Sequence, residues 1–65
     1  MNRTEWVDAC AERLAVQLDI GADQARDLAE ILADNEAKDA SSLEPNDWTE
    51  PVEAADEEIS SWGEG

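Results

Sequence analysis

The side chains with chemistry to offer are carboxylates. Eighteen aspartates and glutamates stand against four lysines and arginines in a chain of 65 residues that has no histidine, for a net charge of −14. Their spacing carries as much information as their number. Asp23, Asp27, Glu30 and Asp34 follow at steps of four, three and four, so on a helix they share one face. With a rise of 1.5 Å per residue, neighbours in such a row lie about 5.5 Å apart along the axis, comparable to successive phosphates on one nucleic-acid strand. Glu5, Asp8 and Glu12 repeat the device, as do Glu50, Glu53 and Glu57, with Asp56 and Glu58 adding charge nearby.

Other chemistries are poorly served. Paired carboxylates perform acid and base catalysis when burial drives their pKa values apart, and so short a chain offers little room for such a pocket. Cys10 is the single cysteine and has no histidine to activate it. Neither the stretch from Asp19 to Asp23 nor Asp34-Asn35-Glu36 has the alternating oxygen ligands and central glycine of a calcium loop. Gly21, Gly63 and Gly65 make no phosphate-cradling loop. The expectation is a protein that is not an enzyme and needs no cofactor or metal.

The rows must be carried on helices. Val7, Cys10, Ala11, Leu14 and Leu18 recur at helical period, which predicts a first helix over 4–19, capped by Asn2 or Thr4. Gly21 is the expected left-handed residue after it. Ala25, Leu28, Ala29 and Leu32 predict a second helix over 22–36. A loop over 37–48 follows, marked by Ser41, Ser42, Pro45 and Asn46 and pinned to the core by Leu43 and Trp48. Thr49 is the expected cap of a third helix over 50–62, in which Pro51 sits in the first turn and Val52, Ala55, Ile59 and Trp62 keep the period. The tail from Gly63 to Gly65 is expected to fray. Together these make an all-α fold: one small three-helix domain spanning 1–65, with a loop between helices 2 and 3. Trp6 reads as core, whereas Trp48 and Trp62 are the candidates for apolar partner contacts.

Charge selects the partner. B-DNA carries one negative charge per 1.7 Å of axis, so fourteen charges match about 24 Å of duplex. A compact chain of this length has a radius of gyration near 11 Å, hence a similar charge per unit length. Nucleic acids and anionic membranes would repel it, and basic proteins would attract it. No apolar run is long enough to cross a membrane and no signal-peptide layout opens the chain, while the lone cysteine fits a reducing compartment. A cytoplasmic location, in a bacterial host, and a monomeric state are expected. Like charges at helical spacing cost a few tenths of a kcal/mol per pair, and Arg3, Arg13, Arg26 and Lys38 are the whole basic complement available to offset them.

In its carboxylate rows, short length, helical pattern and missing histidines, the chain resembles the small acidic DNA-mimicking inhibitors of phages and mobile elements, in particular anti-CRISPR proteins acting on type I effector complexes. The resemblance is one of character over the whole chain, without a shared motif. It implies an inhibitor that occupies a basic DNA-binding groove through Asp23, Asp27, Glu30 and Asp34, with Glu50, Glu53, Asp56 and Glu57 as a second row. The alternative is a small helical adaptor or antitoxin-like module that docks through an apolar patch containing Ile20, Leu43 or Trp48, its acidity being secondary.

Overall fold

Asn2 starts the first helix with a reciprocal pair of bonds: the Glu5 N–H donates to Asn2 Oδ1 at 2.8 Å, and the Asn2 N–H donates to Glu5 Oε1 at 3.0 Å. This capping box satisfies two amide groups that a helix start would otherwise leave unpaired. The computed structural model describes residues 1–63. In it, α1 spans Arg3–Leu18, α2 spans Ala22–Ala40 and α3 spans Pro51–Gly63, with one 3-10 turn at Pro45–Asp47. No strand is present among the described residues, so the all-α, three-helix expectation holds. Gly63 ends α3, and the rest of the expected frayed tail lies outside the described residues.

The boundaries depart from the sequence reading in instructive ways. The left-handed residue after α1 is Asp19 (φ 53°), not Gly21, which has φ −67° and precedes α2. A Cβ on Gly21 would meet nothing within 4 Å, so neither backbone nor packing demands glycine there. Helix α2 continues to Ala40, beyond the expected end at Glu36. Ala37, Lys38 and Ala40 favour helix, and Lys38 suits the negative end of the helix dipole. The loop therefore begins at Ser41, again left-handed at φ 54°.

Within that loop Ser42 is the anchor. Its carbonyl accepts from Trp48 Nε1 at 2.9 Å, its Oγ donates to Asp47 Oδ2 at 2.8 Å, and its Oγ accepts from the Glu44 N–H at 3.1 Å. Leu43, expected to pin the loop, is instead 85% exposed, because the polar bonds of Ser42 hold the turn and leave its neighbour facing water. Nor does Thr49 cap α3: the first helical bond runs from the Ala54 N–H to the Glu50 carbonyl. Thr49 serves as a strap, its N–H donating to Glu36 Oε1 at 2.8 Å and its carbonyl accepting from Trp6 Nε1 at 2.9 Å. One residue thus ties the connection before α3 to both α2 and α1.

Helix α1 is the centre of the molecule, packed against α2 and α3, which barely touch each other. It supplies the largest fully buried side chains, Trp6, Leu14, Val7 and Cys10. The neighbouring helices meet it with alanines, Ala25, Ala29 and Ala33 from α2 and Ala54 and Ala55 from α3. Small residues on the flanking helices let two short elements close on one bulky stripe. Trp48 completes the core from the loop, its ring edge-on to Trp6 at 5.3 Å. The result is flat, 30 × 23 × 15 Å, with a radius of gyration of 11.0 Å.

Candidate protein-binding surface

Because Ala25, Ala29 and Ala33 are buried on one side of α2, residues displaced from them around the helix must face water. Asp23, Asp27, Glu30 and Asp34 are all exposed, on the side away from that stripe. In the same way the buried Ala54 and Ala55 turn Glu53, Asp56 and Glu57 of α3 outward. Glu50 is exposed at the start of α3. The structure thus groups the candidate residues as the sequence spacing suggests, yet on two helices separated by α1. They form two acidic surfaces, not one continuous stripe.

The arginines were not foreseen as organisers of this surface. Arg3 pairs with Asp34 at 2.9 Å, Arg26 pairs with Asp8, and Arg13 holds Asp56 through Nε at 2.8 Å and Nη2 at 3.3 Å. Each pair bridges two helices, so three of the few cations available oppose the repulsion at the helix interfaces. The Arg13 pKa is raised by its hydrogen bond to Asp56 and by the charge of that carboxylate. Two candidate residues, Asp34 and Asp56, therefore already have intramolecular partners, whereas Asp23, Asp27, Glu30, Glu50, Glu53 and Glu57 form no ion pair among the described residues. A signal for the pairing existed in the sequence only as arginine at positions bordering an apolar stripe.

Of the two tryptophans considered for partner contacts, Trp48 is 8% exposed and committed to the core, while Trp62 is 46% exposed with Nε1 donating to Glu58 Oε1 at 3.0 Å. Cys10 is fully buried. Burial first, and then the charges of Glu36 and Glu58, push its thiol up to about 11, so it stays protonated at neutral pH and is a poor nucleophile. Among the described residues no group of histidine, cysteine, aspartate and glutamate side chains is arranged to hold a metal ion. No helix among them is long and apolar enough to cross a membrane.

What this geometry can do is present dense, ordered negative charge and, beside it, a few apolar contacts. No protein-family model, curated protein or solved structure matches the chain.

Proposed function

We propose that this protein is a stoichiometric inhibitor that places its carboxylate rows where a DNA-binding protein normally holds phosphates, with a type I CRISPR effector of a bacterial host as the target and a phage as the source. The observation that carries this reading is the α2 row. Asp23, Asp27 and Glu30 stand exposed, without a cation among the described residues, on a helix fixed to the core by alanines. A row held on a rigid element keeps its spacing when it meets a basic groove, whereas charges on a flexible tail lose entropy on ordering. Opposite fields accelerate the encounter, and the arginines of the target would take carboxylates in the two-pronged geometry they use for phosphates.

The test is displacement of labelled target DNA from a purified type I effector by the wild-type protein and by the double variant Asp27→Lys with Glu30→Lys. Wild type is expected to displace DNA in a salt-sensitive manner, and the double variant, folded by circular dichroism, to have lost inhibition. Failure of the wild type to displace DNA would reject this target, and full inhibition by the variant would remove the α2 row from the mechanism. The second reading, an adaptor or antitoxin-like module, draws support from Leu43, which stands exposed on the loop as an apolar knob. Binding that persists at high salt and fails on Leu43→Ser would favour it.

A further inference from the structure

Three shallow depressions lie side by side on the molecule and share lining residues. The first, of about 410 Å³, lies where Met1, Pro45, Trp48, Pro51 and Val52 come together beside Glu50. The second shares Val52 with it and adds Val16 and Glu12. The third shares Val16 and Glu12 with the second and reaches Asp8, Asp23 and Arg26. Val52 and Val16 thus stand between neighbouring depressions and mark one apolar band on the outer face of α1 and the start of α3. The band is apolar and open, since Met1 is 57% exposed, Val16 70% and Val52 46%.

The rim decides what can lie there. Glu50, Glu12 and Asp23 line the depressions beside the band without forming an ion pair among the described residues, and the guanidinium groups present, Arg13 and Arg26, are already held by Asp56 and Asp8. A second copy of this chain would bring a further net charge of −14 to the same place. An acidic or neutral apolar segment would gain nothing from the rim.

We infer that the exposed apolar band from Met1 through Val52 to Val16 is the docking site for a cationic polypeptide segment that carries aliphatic side chains between its lysines or arginines. Its aliphatic groups rest on Val52, Val16 and the Pro51 ring, and its cations meet Glu50, Glu12 and Asp23. This rests on the reading that the partner is a basic protein, and it adds the source of discrimination that charge alone lacks. Charge brings any basic surface near, and the apolar band selects those with aliphatic groups at the right spacing.

The experiment titrates the ¹⁵N,¹³C-labelled protein with a short leucine–lysine amphipathic peptide and with an oligolysine of equal charge, following methyl and indole N–H signals by NMR. The leucine–lysine peptide is expected to move the methyl signals of Met1, Val16 and Val52 and the indole N–H of Trp48, leaving that of Trp62 in place. Oligolysine is expected to move only signals near carboxylates. Val52→Ser, an exposed substitution that keeps the charge, is expected to weaken the leucine–lysine peptide about fivefold and leave oligolysine unchanged. Identical shift maps for the two peptides, or no effect of Val52→Ser, would overturn the apolar docking band while leaving the basic-partner reading intact. If neither peptide binds at low salt, both are overturned.

Discussion

Raising the salt concentration from about 10 to about 150 mM should stabilise this protein, and the size of the effect follows from its dimensions. A radius of gyration of 11.0 Å corresponds to a sphere of about 14 Å radius. Placing a net charge of −14 on that sphere in water costs about 20 kcal/mol at the lower salt, where the Debye length is near 30 Å, and about 11 at the higher, where it is near 8 Å. The unfolded chain, with a radius of about 32 Å, saves only about 4 kcal/mol over the same change. The folded state therefore gains about 5 kcal/mol relative to the unfolded one. Working against this, salt screens the ion pairs of Arg3, Arg13 and Arg26. These pairs are solvent-exposed, the weakest class of charged contact, so repulsion is the larger effect. For a domain of this size each kcal/mol moves the melting temperature by about 4–8 °C, so a rise of at least about 10 °C is expected. Thermal melts followed by circular dichroism in a sodium chloride series measure it directly. A melting temperature that stays level or falls as salt rises would refute the argument and show that the interhelical arginine pairs outweigh the repulsion.

Four further outcomes follow from the packing. Trp6→Phe deletes the indole N–H that meets the Thr49 carbonyl and thins the edge-on contact with Trp48; a loss of about 2 kcal/mol is expected in urea unfolding, and one below about 0.5 would deny the strap its role. Asp19→Gly and Ser41→Gly, both at left-handed positions, should each stabilise by about 0.5–1 kcal/mol, whereas Gly21→Ala should be tolerated, a reversal of the usual rule that chemical denaturation would expose. The Cys10 thiol is raised from 9.0 to about 11, so the folded state holds its proton more tightly than the unfolded state; stability is unaffected below pH 9 and falls between pH 9 and 11. Urea midpoints should show that fall in the wild type and a smaller one in Cys10→Ala. Alkylation of Cys10 at pH 8 should be slow in the native protein and fast in denaturant, and equal rates would contradict its burial.

Much of the placement of the candidate surface was legible in the sequence. The four-three-four spacing from Asp23 to Asp34 determines that those carboxylates share a face of any helix they occupy, and alanines at Ala25, Ala29 and Ala33 determine which face turns inward. Composition alone settles the sign of the charge this surface presents. Helix period is a local property, so the number and order of the helices could be read from it.

Local rules failed wherever partners distant in sequence competed for the backbone. Gly21 has the freedom to be left-handed, but Asp19 takes that conformation because α1 ends at Leu18 and the N–H groups of Asp19 and Ile20 both donate to the Ala15 carbonyl. Thr49 has the chemistry of a cap, yet its backbone is claimed from both sides by Glu36 and Trp6 across the fold. Leu43 has the apolarity of a core residue and Ser42 the bonds that keep it outside. The pairing of Arg3 with Asp34 and of Arg13 with Asp56 joins residues far apart in the chain, which no window of sequence brings together. The same holds for the exposed apolar band, since Val16 and Val52 become neighbours only when α3 closes on α1. Sequence determined which charges stand in rows; tertiary structure decided which of them are neutralised and what apolar surface lies beside them, because both depend on contacts between helices.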